Sequence, residues 1–231
     1  MKTQFFSGAL VTICAVTFAA CDKQQPVAPE PEPDNILGNQ FVATIPLAVG
    51  NKWVYRETIL DDKGAIQITR TYTNEITREF TDGTQHWFVL RTTLGQSSAE
   101  TYVANIDGAQ YTRNPVDSLP LLYLRFPSSS FNSFNMQVPV PGLKGIPDTV
   151  VQVPCAISPI SSIVRVPKGR FFAFQYTSAQ VDFPYSGMNM TLSMSELYLS
   201  DQGLVSAVYY SNFQGNQYVS STLELTDITI R

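Results

Sequence analysis

Between Ala65 and Phe80 polar and apolar residues alternate without a break in period, and this stretch constrains the fold more tightly than any other. Gln67, Thr69, Thr71, Thr73, Glu75, Thr77 and Glu79 hold the odd positions, while Ile66, Ile68, Tyr72, Ile76 and Phe80 hold even ones. Side chains alternate across a strand, so a period of two predicts a long half-buried β-strand, or two strands joined by a bulge. Arg70, Asn74 and Arg78 interrupt the apolar face. They predict that part of it is wet, near a rim or a cavity mouth.

The same alternation returns in Met188, Met190, Leu192 and Met194. Such a stripe could line an adaptable pocket, since thioethers accommodate varied shapes, but ordinary core is the simpler reading. Near the end, Leu223 and Leu225 are odd whereas Ile228 and Ile230 are even, so a bulge near Thr226 and Asp227 is needed to keep all four on one side. Turn chemistry separates these runs at Asp62-Lys63-Gly64, Thr81-Asp82-Gly83, Asp107-Gly108, Ser186-Gly187, Asp201-Gln202-Gly203 and Gly215-Asn216. Asn114 to Pro167 differs, because it holds nine of the chain's fifteen prolines. Proline disfavours central strands, so edge strands and long loops crossing one end of the sheet are expected there. No useful window shows a 3.6-residue recurrence, and helices should be few and short. The predicted fold is all-β: a single curved antiparallel sheet, closed as a barrel or wrapped as a half-barrel.

The amino terminus is of another kind. Met1 and Lys2 give a basic start, Phe5 to Ala20 carries no charge, and Ala19 and Ala20 directly precede Cys21. Charge, apolar length and small-residue exit describe a secretory signal peptide, too short to span a bilayer. A cysteine placed after Phe18-Ala19-Ala20 resembles the lipobox of bacterial lipoproteins, with Phe18 where leucine is usual. The resemblance implies cleavage before Cys21, a diacylglycerol on its sulfur and acylation of its amine; the plain alternative is an ordinary signal peptide with a chance cysteine. Residues 1–20 are thus read as signal, 21–40 as the lipidated cysteine and a Pro/Glu-rich linker, and 41–231 as one antiparallel β domain. At ~3.1 Å per residue the linker could hold the domain roughly 50 Å from a membrane. The expected location is the bacterial cell envelope, at the outer membrane or the periplasmic face of the inner one.

The chain has a net charge of −4, and its first twenty residues carry one basic and no acidic residue. An acidic domain without a basic cluster is not built for nucleic acid or for anionic headgroups, so the membrane is met through lipid on Cys21. Of three cysteines, Cys14 leaves with the signal and Cys21 takes lipid, which leaves Cys155 without a disulfide partner and read as core filler. The lone histidine, His86, rules out a multi-histidine zinc site and is read as a strand residue. Nucleophile elbows, phosphate loops and calcium loops are absent. Asp61, Asp62, Asp82, Asp107 and Asp201 are explained by turns, and Glu57, Glu75, Glu79 and Glu100 by exposed strand positions. The sequence therefore nominates no catalytic residue, no metal ligand and no cofactor, and no enzyme is expected.

Three stretches read together are similar to a loose group of bacterial lipoproteins of unknown function. Pro46-Leu47-Ala48-Val49-Gly50-Asn51-Lys52-Trp53-Val54-Tyr55 resembles the group's opening strand. Val166-Pro167-Lys168-Gly169-Arg170-Phe171 resembles its Val-Pro-Ala-Gly-Thr-Phe stretch, with Lys168 and Arg170 in place of small residues. Glu196-Leu197-Tyr198-Leu199 followed by Gly203-Leu204-Val205 resembles its late aromatic strand. The resemblance implies an antiparallel β fold in the envelope and brings no activity. From the residues alone, Trp53, Tyr55, Phe171, Phe172 and Phe174 are expected to bury large area. The expected function is a lipid-anchored, non-enzymatic binding or scaffold module for an envelope protein, glycan or lipid. The alternatives are a carrier of a hydrophobic ligand and, behind it, a hydrolase. A carrier requires an apolar cavity of several hundred cubic ångströms; a scaffold requires a filled core and an exposed apolar patch.

Overall fold

A computed structural model describes residues 45–115, 119–127, 132–140, 149–185, 188–199, 202–213 and 216–231. The predicted signal, Cys21, the linker and the boundary at Phe41 lie outside the described residues. Thirteen strands follow one another: β1 (Lys52–Leu60), β2 (Ile66–Asp82), β3 (Gln85–Leu94), β4 (Ser97–Ile106), β5 (Ala109–Arg113), β6 (Leu121–Arg125), β7 (Ser133–Val140), β8 (Thr149–Val166), β9 (Gly169–Ser178), β10 (Val181–Tyr185), β11 (Met188–Leu199), β12 (Gly203–Phe213) and β13 (Asn216–Thr229). Among the described residues there is no helix. Twelve strands pair in the order β6-β5-β4-β3-β2-β1-β13-β12-β11-β9-β8-β7, and β10 pairs with β11. Every pairing is antiparallel.

The sheet curls into a nearly closed barrel. Its two ends, β6 and β7, meet through a side chain: the Leu122 amide donates to Gln137 Oε1 at 2.8 Å. Across the interior, Tyr176 on β9 donates to the Arg125 carbonyl at 2.9 Å, fixing β6 to the far wall. Leu124, Phe126, Ile157, Tyr176 and Tyr198 form a buried cluster at this seam. A larger cluster gathers Trp53, Tyr55, Ile76, Val103, Leu223 and Leu225.

Two-residue turns set much of this register. Asp107 and Gly108 have φ of 49° and 73°, the pair of left-handed residues that a right-twisted hairpin needs, and they join Ile106 directly to its partner Ala109. The parity change foreseen in the last strand is a bulge: Val54 pairs with Asp227 and Tyr55 with Leu225, which leaves Thr226 as the extra residue. Its hydroxyl donates to the Val54 carbonyl at 3.0 Å.

The alternating stretch is β2, but its apolar face is buried only in part. Ile76 is fully buried, whereas Ile66 and Ile68 are 66% and 50% exposed. The ladder explains this, because β3 begins to pair with β2 only at Tyr72, and the tip of the β1–β2 hairpin projects past it. A second bulge between Ile76 and Arg78 turns the following residues to the opposite face, so Phe80 packs edge-on against Tyr102 and under Arg113 instead of beside Ile76.

The proline-rich middle needs correcting. β6 and β7 are indeed the edge strands, yet β8 runs for eighteen residues between β7 and β9. It tolerates two prolines because neither is asked for an N–H on both sides: Pro154 pairs with β7 and, beyond the last β9 partner, offers only its carbonyl to the Ala179 amide at 2.7 Å, and Pro159 pairs with β9 alone at a register break. Phe171, Phe172 and Phe174 are only half-buried, and Ala173 and Tyr176 take the buried positions of β9. The side chains of Met188, Met190 and Leu192 lie outside the described residues, as do Ser186-Gly187, Asp201 and Gly215; Met194 is buried in core.

Candidate functional site

Inside the barrel lies a cavity of about 170 Å³. One wall is hydrocarbon and aromatic ring: Trp53 and Tyr55 from β1, Ile76 from β2, Leu90 from β3, Val103 from β4 and Leu204 from β12. The β2–β5 side adds a strip of small polar groups, Asn74, Thr101, Gln110 and Thr112. Ile45 and Leu47 complete the lining from the segment ahead of β1.

That segment is held by side chains. Asn105 Nδ2 donates to the Ile45 carbonyl at 2.9 Å, and Asn51, fully buried, donates to the Pro46 carbonyl at 3.1 Å while accepting from the Arg231 amide at 2.8 Å. Gly50, at φ 91°, lies against the Arg231 guanidinium, and a Cβ there would come within 2.8 Å of it. The positive φ is what favours glycine there, since the guanidinium is the far end of a flexible side chain and can move aside. The Trp53 indole donates to the Gln202 carbonyl, and the Tyr55 hydroxyl to the Leu204 carbonyl at 3.0 Å, so both rings are fixed as cavity wall.

Tyr123 and Tyr198 also line the cavity, and both reach Glu196, which is 1% exposed. Tyr198 donates to Oε2 at 3.0 Å, Tyr209 donates to Oε1 at 3.1 Å, and the Tyr123 hydroxyl stands 3.3 and 3.4 Å from the two oxygens. No cation pairs with it among the described residues. Burial raises the Glu196 carboxyl above its ordinary range, against the opposing pull of the three hydroxyls. The same burial, with the acid beside them, raises the phenols of Tyr123, Tyr198 and Tyr209. A three-tyrosine cap around one acid can share a proton and brace three strands, β6, β11 and β12.

The residues singled out from sequence are scattered. Cys155 is buried core, its thiol pushed up to about 11 by burial. His86 is half-exposed at the end of β3, 3.2 Å from Glu79, and does not line the cavity. Of the three polar residues on the β2 face, Asn74 lines the cavity, Arg70 pairs with Glu57 at 2.6 Å, and Arg78, turned by the bulge, pairs with Glu100 at 3.3 Å. No group of three or more metal-ligating side chains occurs among the described residues. Glu196 was missed, although its even number continues the stripe through Met194 to Tyr198 and so places an acid on a buried face.

No protein-family model matches the chain, and no curated protein matches it. Two solved structures resemble it at low identity. One is a Bacteroides fragilis protein provisionally named an exported protein with a YmcC-like fold, at 11% identity and a TM-score of 0.49 over 80% of this chain and 98% of that one. The other is a Parabacteroides distasonis protein provisionally named a lipoprotein, at 14% identity and a TM-score of 0.49 over 80% and 97%.

Proposed function

We propose that the chain is a non-enzymatic, lipid-anchored module of the bacterial envelope that binds a small, largely apolar ligand inside its barrel. The observation that carries the reading is the cavity between Trp53, Ile76, Leu90 and Val103, a space the surrounding aromatic residues leave unfilled. An apolar cavity of about 150 Å³ is known to take up a benzene-sized guest, so 170 Å³ suits a single ring or a short chain. It does not suit a whole lipid, which needs several hundred cubic ångströms. Anchoring rests on the Phe18-Ala19-Ala20-Cys21 motif, and absence of chemistry on the fact that Glu196, the buried acid, spends both oxygens on tyrosines and is not a lining residue.

Both halves can be tested separately. Labelled palmitate should enter the wild-type chain and not Cys21→Ser, and the variant should leave the lipidated membrane fraction; equal labelling of the two overturns the anchor. Toluene titrated calorimetrically into the full chain carrying C21S should bind at one site, and a flat titration overturns the cavity reading.

A further inference from the structure

The cavity is amphipathic, and its polar strip holds, beside the Thr101 and Thr112 hydroxyls, one side-chain amide with neither end bonded to a described residue. Gln110 is only 6% exposed, and its side-chain amide, which makes no hydrogen bond to a described residue, keeps its accessible surface toward the cavity it lines. It lines the cavity beside Thr112, two residues along β5, and across the strip from Asn74. Buried side-chain amides are ordinarily paired, because an unpaired donor or acceptor forgoes the hydrogen bonds it would make in water. Of the nearby amides, Asn51 uses both ends, Asn74 accepts at Oδ1 from Thr92 Oγ1 at 2.7 Å, and Asn105 donates at Nδ2 while its Oδ1 has no partner among the described residues. Gln110 lines the cavity with neither its carbonyl nor its NH₂ group bonded to a described residue.

Among the described residues no lysine, arginine or histidine lines the space. A charged head entering it would lose its hydration without a counter-charge, which is far costlier than burying a neutral polar group that finds a partner. The Tyr123 and Tyr198 hydroxyls face Glu196 and are already committed as donors. From these observations we infer that the ligand is a compact ring or short hydrocarbon with one neutral hydrogen-bonding head, an amide or an alcohol, and that Gln110 is the residue that recognises the head. The apolar body lies against Trp53, Ile76, Leu90 and Val103. This rests on the cavity reading and adds the chemistry of the head to it.

Four probes share one ring and differ in the head: toluene, benzamide, benzoate and benzylammonium, each titrated calorimetrically into the full chain carrying C21S. Benzamide should bind about tenfold more tightly than toluene, the return of one paired hydrogen bond. Benzoate and benzylammonium should bind more weakly than toluene. Gln110→Met keeps length and volume and removes both polar atoms; it should erase the benzamide advantage and leave toluene within about twofold. Thr112→Val serves as the second variant and should leave most of the advantage in place. Equal affinity for toluene and benzamide in the parent chain, tightest binding of either charged probe, or an advantage that survives Gln110→Met each overturns the assignment while leaving the cavity reading intact. Silence from all four, toluene included, overturns both.

Discussion

Replacing Glu196 separates two ways in which a buried acid can act on a fold. Its carboxyl lies in the interior without a cation among the described residues, and burial raises its proton affinity more than three tyrosine hydroxyls lower it. The folded state therefore holds the proton more tightly than the unfolded chain, where the group titrates near 4.3. Between that value and the folded one the folded state carries an extra proton, so stability is fully present at low pH and declines as pH rises through the window. Glu196→Gln removes the titrating group and nearly keeps the shape. Its stability relative to wild type should rise with pH from about 4.5 upward, while the two proteins should differ little at pH 4. Glu196→Leu is the opposite perturbation: three hydroxyls lose their acceptor at about 1–3 kcal/mol for each one left unpaired. Tyr123 and Tyr198 stand 3.3 Å apart and can pair with each other, which leaves one or two orphans and a cost of about 2–5 kcal/mol. Urea melts of the three proteins at unit steps from pH 4 to pH 7 measure both effects. A Gln-minus-wild-type difference that stays flat with pH refutes the reasoning. A difference that falls with rising pH would show the tyrosines stabilising the anion more than burial opposes it.

Three further outcomes follow from the same geometry. Val103→Phe should fill the cavity, abolish toluene binding in calorimetry and leave the urea midpoint nearly unchanged, since the added ring enters empty space. Trp53→Phe removes the indole that donates to the Gln202 carbonyl and widens the cavity, and should cost about 2–3 kcal/mol in a urea melt. Thr226→Ala loses one hydrogen bond to Val54 and should cost about 1 kcal/mol in a urea melt, whereas deleting Thr226 removes the extra residue, leaves Leu225 and Ile228 on one face of a regular strand and should keep cooperative unfolding.

What was legible in the sequence was the part governed by local rules. Period-two alternation located β2, paired parities located the bulge at Thr226, and Asp107-Gly108 announced a hairpin whose dihedral angles require such residues. Illegible were features that depend on which strands end where. The exposure of Ile66 and Ile68 follows from β3 stopping short of them, and the acceptance of Pro154 and Pro159 inside β8 follows from its neighbours covering different halves of it. Nothing local in either stretch records those lengths. The candidate site was legible in still smaller part: Asn74 was marked as wet, and Glu196 stood in a readable stripe. Gln110 gave no signal, because a glutamine with no partner and one with a partner are the same letter.

The tyrosine cap also bears on how this barrel closes. A ladder between β6 and β7 would close it through backbone hydrogen bonds, which are indifferent to side-chain identity. Here the described hydrogen bond across the seam is Leu122 to Gln137, with Tyr123 and Phe134 in the same apolar clusters, while β6 is tied to other strands through Tyr123 to Glu196 and through Tyr176 to the Arg125 carbonyl. Closure is thus a property of particular side chains, and two of them, Tyr123 and its neighbour Tyr198, are at the same time cavity wall. Filling this interior with hydrocarbon would bury more apolar area but would remove the rigid polar contacts that hold β6 at a fixed distance from β11. A buried acid whose proton affinity burial raises suits a fold that keeps a space between its walls, because the bracing that holds the seam also keeps the walls from collapsing onto it.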